Sequence, residues 1–218
     1  MKGMVACSEI LMDDISAVCL RASTLALDNR LANWNATFGR GLSLLVDEED
    51  AIKGPLLRAL AGEMPPRAGA VSWGGVDMRV RRERMLGAVF WRDPRAPWPD
   101  VSPAQWAREL ARCHPAWSEP DWLRHVGEWA LQEHLHKEMF RLSTGSRRKV
   151  LLAAAFASGA PLTVIEEPEA ALDHASIRYL REALGAEAER CRQNGRVWVV
   201  AHYALMPQVP WNQVIRLP

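Results

Sequence analysis

The chain has 218 residues, of which 49% are hydrophobic and 24% are charged, a composition that suits one well-packed domain or a domain with an inserted subdomain. Its formal net charge of +1 excludes a global attraction to nucleic acid or to acidic membranes, so we expect no nucleic-acid partner.

The sequence shows no signal for secretion or for membrane insertion. Its first residues include acids where a signal peptide needs an apolar run, and no apolar stretch reaches the roughly 20 residues that a membrane-spanning helix needs. The cysteines lie far apart and form no C-x-x-C pair: Cys7, Cys19, Cys113 and Cys191. We therefore expect a cytoplasmic protein that works at a membrane only by docking on another subunit.

The first third of the chain predicts a small antiparallel sheet, then a buried strand, a helix and a further strand. From Ile15 to Val46, apolar residues recur with strand-like spacing between turn formers, and the last run is continuously apolar. A short helix follows, with Pro55 in its first turn and Gly62 at its end. The next strand ends at the turn formed by Gly74-Gly75.

Residues 86–141 differ in texture from their surroundings. Prolines and tryptophans are concentrated there, between stretches of helical periodicity such as "AQWARELARC" and "PDWLRHVGEWALQEHL". The pattern predicts a helical subdomain at 86–141, inserted between the two parts of an α/β core, 1–85 and 142–218. The tryptophans suit either an interface with another subunit or ordinary core packing.

The last third of the chain predicts an alternation of buried strands and helices. The helix "SRRKVLLAAAFAS" precedes the continuously apolar strand "PLTVI". The helix "HASIRYLREALGAEAERCRQ" is ended by Asn194-Gly195 and precedes the strand "RVWVVA". Such alternation indicates a mainly parallel sheet.

Landmarks of one known family stand along the chain in the order of that family. The segment "RLSTGSRRKVLLAAAFASGAPLTVIEEPEAALD" resembles the signature sequence of an ATP-binding cassette (ABC) ATPase, followed by a Walker B strand and a D-loop. "VVAHY" is similar to the strand that presents the switch histidine of that family, and "LLRALAGEMPPRAGAVSWGG" is similar to the helix and strand after a transporter Walker A.

Over nearly its whole length the chain thus resembles the ATP-binding subunits of ABC transporters. Among these it is similar to small exporter subunits such as the haem-export ATPase of cytochrome c maturation. The resemblance implies one domain, 1–218, of the α/β class with the P-loop NTPase (ABC ATPase) fold. That fold has a mainly parallel sheet core, an N-terminal antiparallel β subdomain and an inserted helical subdomain.

The resemblance also assigns roles to single residues. Glu166 holds the position of a Mg²⁺-organising aspartate, although its extra methylene displaces the carboxylate, and Glu167 holds the position of the general base. His202 holds the switch position and Asp173 lies in the D-loop. In the family the signature acts on the ATP of the opposite subunit, and it comprises here Leu142, Ser143, Thr144 and Gly145. The same residues also suit structural roles, as a serine N-cap, polar acids at a strand end and a structural histidine after a strand.

The phosphate loop is recognisable in outline but altered in its residues. Aligned on Lys53, the pattern G-x-x-x-x-G-K-[ST] has Asp47 at its first glycine, Ile52 at its second, and Gly54-Pro55 at the hydroxyl positions. An isoleucine resists the left-handed backbone that lets amides wrap a phosphate and would place its side chain in the phosphate's space, and the lost hydroxyl removes a Mg²⁺ ligand.

The acids of this loop would repel a triphosphate, since unit charges roughly 4 Å apart cost about 4 kcal/mol at an effective dielectric of about 20. The N-terminus of the following helix still favours negative charge. We therefore expect the carboxylate of Glu49 or Asp50 to take the place of the β-phosphate and to pair with Lys53. Two further nucleotide contacts are missing, because the early sheet offers no aromatic ring for adenine and Trp91 or Arg92 stands where the Q-loop glutamine belongs.

An altered phosphate loop beside a near-normal signature predicts a division of labour. We expect an ABC subunit of a membrane transporter whose own Walker A has impaired or lost ATP binding, with Glu167 and His202 idle. Its signature would complete the ATP site of a second ABC ATPase subunit, so ATP and Mg²⁺ would be bound only in that shared site. The other expected partner is a membrane permease, contacted by 86–141 at the inner face of the membrane.

Three other interpretations stay open. The chain suits a pseudo-ATPase that acts as a scaffold or regulator without a transport cycle. It also suits an active ATPase with an atypical phosphate loop, since Lys53 and Glu167 remain. "VIEEPEAALD" further resembles chromosome-maintenance and overcoming-lysogenization-type ATPases, but these carry an inserted coiled coil or a nuclease domain for which the chain has no room. Whether the dimer is a homodimer or a heterodimer is open.

Overall fold

The computed structural model describes residues 19–218, so Cys7, the acidic start of the chain and the predicted strand spacing near Ile15 lie outside the described residues. The helices of the described part are α1 (Lys53–Leu60), α2 (Met78–Arg84), α3 (Pro103–Cys113), α4 (Glu119–Glu128), α5 (Thr144–Ala157) and α6 (His174–Asn194). The strands are β1 (Leu20–Ala26), β2 (Trp34–Phe38), β3 (Gly41–Val46), β4 (Ala68–Trp73), β5 (Val76–Asp77), β6 (Val89–Phe90), β7 (Leu162–Glu166), β8 (Val197–His202) and β9 (Gln213–Arg216). No helix between residues 19 and 218 has the length and apolar character needed to cross a membrane.

The centre of the molecule is a five-stranded sheet with the order β6-β7-β8-β3-β9, in which all neighbouring strands are parallel. The strands β3, β7 and β8 are buried along their whole length, because each is a continuous apolar run and side chains alternate between the two covered faces. In the register, Val46 pairs with His202 and Glu166 with Ala201. The carboxyl ends of all three strands therefore meet at one edge of the sheet.

One face of this sheet is covered by the antiparallel β subdomain and by α1. The subdomain is a four-stranded sheet with the order β2-β1-β4-β5, and it packs in one apolar cluster with α1 and with alternate residues of β7 and β8. Residues such as Leu20, Leu56 and Val164 are fully buried there. The parallel core and the separate antiparallel sheet confirm the predicted fold.

The other face is covered by α5, α6 and the helical segment. The segment predicted as the subdomain, 86–141, contains α3, α4 and two short 3₁₀ turns, but its strand β6 pairs with β7 in the parallel sheet. Trp106, Trp122 and Trp129 are buried in the same cluster as α5. Their burial favours core packing as the explanation of the tryptophan content.

Candidate functional site

The loop between β3 and α1 folds around a carboxylate of its own. Asp47 directly follows β3, and its Oδ2 accepts hydrogen bonds from the backbone amides of Ile52 at 2.7 Å and Lys53 at 2.8 Å. These amides belong to the N-cap and the first residue of α1, where the helix dipole favours a negative charge. Asp47 itself is buried. A carboxylate thus bonds the amides that would face a phosphate, and it belongs to Asp47 instead of the expected Glu49 or Asp50.

Asp50 has a different role because its side chain is 67% exposed and its backbone is left-handed, with φ at 55°. It reaches the Nζ of Lys53 at 2.7 Å, which confirms the expected pairing of these two residues. The side chain of Ile52 lies in the apolar cluster under α1. The expectation that it would fill the space of a phosphate is therefore wrong, because burial in the core is the more favourable place for an isoleucine.

Lys53 connects the loop to the ends of β7 and β8. Its side chain is 2% exposed, and its Nζ pairs with the carboxylate of Glu167 as well as with Asp50. Burial by itself would lower the pKa of Lys53, but the hydrogen bonds and charges of the two carboxylates outweigh burial and raise that pKa. The Nε2 of His202 lies 3.4 Å from Oε2 of Glu167. Lys53, Glu167 and His202 thus form one connected group.

Glu166 is bonded to an arginine that the sequence analysis did not assign. Its carboxylate is 3% exposed and is bound at both oxygens by the guanidinium of Arg95, at 2.9 and 3.1 Å. The hydrogen bond to Glu166 is the main cause that raises the pKa of Arg95. Arg148 donates to the backbone carbonyl of Glu166 at 2.8 Å. The one sequence signal for this pairing is a cation in the segment where the Q-loop glutamine is missing.

The segment at the Q-loop position is held by its own hydrogen bonds. Arg92 donates to the carbonyl oxygens of Asp93, Ala96 and Pro97 at 2.8 to 3.0 Å, and its guanidinium carbon lies 3.9 Å from the ring centre of Trp98. Arg92 is therefore used within the segment and does not reach the carboxylates of the site.

The signature residues form a second group at the start of α5. Ser143 is the N-cap and accepts from the amide of Ser146 at 3.0 Å, so the capping role is present in the structure. Ser143 and Thr144 are exposed, whereas Leu142 is buried. A Cβ added at Gly145 would lie 2.5 Å from the carbonyl oxygen of Ala171, so Gly145 allows close approach of the D-loop of the same chain.

Asp173 ends the D-loop and caps α6. Its side chain accepts from the amide of Ser176 at 2.8 Å and pairs with Lys149 at 3.1 Å. These hydrogen bonds, with that to the Ser176 amide as the largest cause, lower the pKa of Asp173. The signature helix and the D-loop are thus joined by Gly145 against Ala171 and by Lys149 against Asp173.

A magnesium–triphosphate group does not fit these residues as they are arranged. The two α1 amides are bonded to Asp47, and the cation of Lys53 is paired with carboxylates. Both oxygens of Glu166 are bonded to Arg95, and Gly54 has no hydroxyl to offer a metal. Within residues 19–218, no group of three or more His, Cys, Asp or Glu side chains is arranged to hold a metal ion.

The chain is similar to one domain family and to a set of ATP-binding export proteins. A model described as "AAA domain, putative AbiEii toxin, Type IV TA system" matches residues 137–197. The cytochrome c biogenesis ATP-binding export protein CcmA of Pseudomonas putida is 32% identical over 159 residues, covering 70% of this chain and 72% of that protein. CcmA 1 of Salmonella paratyphi A is 29% identical over 181 residues, covering 78% of this chain and 84% of that protein.

Solved structures show the same fold. A putative ABC transporter ATP-binding protein from Pyrococcus furiosus superposes with a TM-score of 0.74 at 16% identity, over 91% of this chain and 97% of that one. An ATP-binding subunit of an ABC transporter superposes with a TM-score of 0.71 at 22% identity, over 85% of this chain and 80% of that one. Together with the order of the Walker, signature and switch elements around one sheet edge, these similarities show that the chain belongs to the ATP-binding subunits of ABC transporters.

Proposed function

We propose that this subunit completes the ATP site of a partner cassette subunit and holds no nucleotide in its own phosphate loop. The observation that carries the proposal is the contrast between two halves of one molecule. In the loop half, which comprises the phosphate loop and the end of β7, the amides and charged groups are already paired with groups of the same chain, and we call this half saturated. In the signature half, at the start of α5, Ser143 and Thr144 face solvent.

The loop half supports the proposal through the free energy needed to empty it. A phosphate would have to displace Asp47 from the amides of Ile52 and Lys53, and a buried carboxylate without its partners costs several kcal/mol. It would also have to take Lys53 from Asp50 and Glu167. Binding energy of an incoming nucleotide would be spent on breaking contacts that the chain already makes.

The signature half keeps the features that suit an anion. The first turn of α5 contains no acidic residue, and its N-terminal dipole points toward the exposed Ser143 and Thr144. A homodimer built from two saturated loops would contain no competent site, so the partner is a cassette subunit with an intact phosphate loop. A membrane permease is the second partner, which places the subunit at the cytoplasmic face of the membrane. The names of the relatives, ATP-binding export proteins of cytochrome c biogenesis, favour an exporter.

The first experiment tests the loop half on the isolated chain. Calorimetric titration with ATP and Mg²⁺ is expected to give no measurable binding, and saturating ATP is expected to leave the melting temperature unchanged. A ligand present at 100 times its Kd would add about 2.7 kcal/mol to the free energy of unfolding, so binding would be easy to see. Micromolar affinity for ATP would overturn this half of the proposal.

The second experiment tests the signature half in the complex copurified with permease and partner cassette. Thr144→Asp places a charge that suits the helix N-terminus of its own chain but repels a partner's phosphate. The matched control is Thr144→Asn, which has the same shape without the charge. We expect the Asp variant to lower ATP turnover of the complex at least tenfold relative to the Asn variant, since about 1.4 kcal/mol of repulsion is enough. Equal turnover, or copurification with a soluble partner alone, would favour the scaffold instead.

A further inference from the structure

We propose that the guanidinium of Arg95 is a built-in replacement for a divalent cation and ties the linker 91–102 to the end of β7 without nucleotide. The inference deepens the proposed function, since it concerns the same site and rests on that site lacking a nucleotide. It assigns a role to a residue for which the sequence pattern gives none.

The buried carboxylate of Glu166 needs a positively charged partner. It ends the buried strand β7 and is 3% exposed, and a buried carboxylate is stable only when it is paired and hydrogen-bonded. Arg95 meets this need with two parallel hydrogen bonds, at 2.9 Å to Oε1 and 3.1 Å to Oε2. This bidentate geometry is the strongest form of an arginine–carboxylate pair.

The guanidinium of Arg95 also lies next to Gly54, which holds the other position from which the phosphate-loop pattern would bind a metal. In the phosphate-loop pattern the residue after the lysine supplies a hydroxyl to the cation, and here that residue is Gly54. A Cβ built at Gly54 would lie 3.1 Å from Nη1 and 3.3 Å from Nη2 of Arg95. The positive group of Arg95 thus lies between Glu166 and Gly54, the two positions from which the pattern would bind a divalent cation.

The linker is shaped so that Arg95 can reach this place. Asp93 accepts from the backbone amide of Arg95 at 2.8 Å, and its carbonyl accepts from the amide of Ala96 at 3.1 Å, which forms a turn with Arg95 inside it. Arg92 donates to three carbonyl oxygens of this turn and the residue after it. The side chain of Arg95 is 62% exposed, so it bridges from the surface turn to the buried end of β7.

An arginine differs from a metal in one respect that matters for the molecule. A divalent cation can dissociate, whereas Arg95 is covalently part of the linker and keeps its charge at all working pH values. The linker joins β6 to α3, so the pair between Arg95 and Glu166 fixes the part of the helical segment that precedes α3 on the parallel sheet. The segment is therefore held in place whether or not a nucleotide is present.

The test measures melting temperatures of the metal-free full chain, with Mg²⁺ or Mn²⁺ as the only probe. Arg95→Ala is expected to lower the melting temperature more than Arg192→Ala, a control that breaks an exposed pair with Glu189. Millimolar Mg²⁺ is expected to restore part of the loss in Arg95→Ala, to leave the wild type unchanged, and to restore nothing in Arg95→Ala with Glu166→Gln. If Arg95→Ala does not fold, Arg95→Gln is measured in its place, because it removes the charge and keeps part of the side chain with two N–H donors.

Direct binding of Mn²⁺, followed by electron paramagnetic resonance, gives the second measurement. We expect Mn²⁺ to bind the Arg95 variant at least roughly tenfold more tightly than the wild type. Equal binding of Mn²⁺ by both, or a melting temperature of the Arg95 variant that Mg²⁺ does not change, would overturn the inference. ATP binding by the wild type would instead reject the proposed function, so the two failures are distinguishable.

Discussion

Asp47 is the single residue on which the loop between β3 and α1 depends. Two buried amides, of Ile52 and Lys53, have its Oδ2 as their acceptor, and the amide of Asp47 itself donates to the carbonyl of His202 at 3.0 Å. The residue therefore joins the end of β3, the start of α1 and the end of β8. An acid that serves as an internal anion in this way is part of the folded structure, and it bonds the amides that a phosphate would face.

We predict that Asp47→Ala destabilises the protein by about 1–3 kcal/mol, because two buried amides lose their acceptor. Asp47→Asn keeps an acceptor oxygen and is expected to lose less. Sulfate, which can take the place of the missing carboxylate, is expected to restore part of the loss in Asp47→Ala and none in the wild type. Urea unfolding with and without sulfate, at matched ionic strength, measures both effects. Equal losses in the Ala and Asn variants would contradict the prediction.

At the same scale, the sequence predicted the motif residues of the site but not the arginine that pairs with one of them. Lys53, Glu167 and His202 were assigned to one site from motif order, and the structure brings them into contact. Arg95 was not predicted, because its contact with Glu166 spans 71 residues and depends on the path of an irregular linker. Such a contact leaves no periodic trace in a sequence.

At the scale of elements, α4 packs on α5 and α6 through the buried His125. Its ring stacks on Phe156 at 4.5 Å between centres, and its Nδ1 lies 2.7 Å from the hydroxyl of Tyr179. Burial, aided by the positive charge of Arg124, lowers the pKa of His125 from 6.5 to about 4. The contact between these helices is therefore built around a neutral imidazole.

This burial predicts a loss of stability in acid. The unfolded chain binds a proton at His125 more tightly than the folded chain, so the contribution is complete above pH 6.5 and falls as the pH decreases toward 4. The loss is on the order of 3 kcal/mol. In His125→Gln the free energy of unfolding is expected to change less over this range, as measured by urea unfolding at a series of pH values. The exposed His136→Gln serves as control, and a flat profile in the wild type would refute the prediction.

The contact between α5 and the D-loop gives a third prediction. Gly145→Ala would place a methyl group 2.5 Å from the carbonyl oxygen of Ala171, and relief of such an overlap costs about 1–3 kcal/mol. Gly185→Ala is the matched control, since it lies in α6 with its nearest neighbour at 3.8 Å and replaces a poor helix former. We expect a lower melting temperature for the first variant and an unchanged or higher one for the second. Equal melting temperatures of the two variants would mean that the D-loop moves away from the added methyl group without cost.

Elements with a strong sequence pattern were predicted from the sequence, and elements with a weak pattern were not. The strands β3, β7 and β8 are continuous apolar runs, and α6 ends at Gly195, whose φ of 78° suits a glycine. The sequence "MRVRRER" of α2 has no apolar stripe, and its start is fixed by the side chain of Asp77. Strand β6 has two residues and exists only because β7 pairs with it. A local cap therefore defines the start of α2, and a tertiary contact defines β6.

At the scale of the whole molecule, the candidate site joins three parts that are remote in the chain. The loop after β3 supplies Asp47 and Lys53, the end of β7 supplies Glu166 and Glu167, and the linker supplies Arg95. Saturation of the site is thus a property of the assembled fold and of no single motif. Repair of the loop alone leaves the cation of the linker in place.

We predict that nucleotide binding returns only when both parts are changed. The loop variant combines Asp47→Gly, which frees the amides of Ile52 and Lys53, with Gly54→Thr, which adds a hydroxyl. The Cβ of the new threonine would lie about 3.1 Å from the guanidinium of Arg95. Adding Arg95→Gln and Glu166→Asp removes that cation and restores the acid of the pattern, while Ile52 stays because its side chain lies in the core.

Calorimetry with ATP and Mg²⁺ is expected to detect binding by the combined variant and none by the loop variant, with circular dichroism showing that both are folded. The comparison separates the contribution of the loop from that of the linker, because the loop changes are identical in both proteins and they differ only in the pair formed by Arg95 and Glu166. Binding of equal affinity in the two variants would show that Arg95 does not matter, and binding by neither would show that the saturated loop is not what keeps nucleotide out.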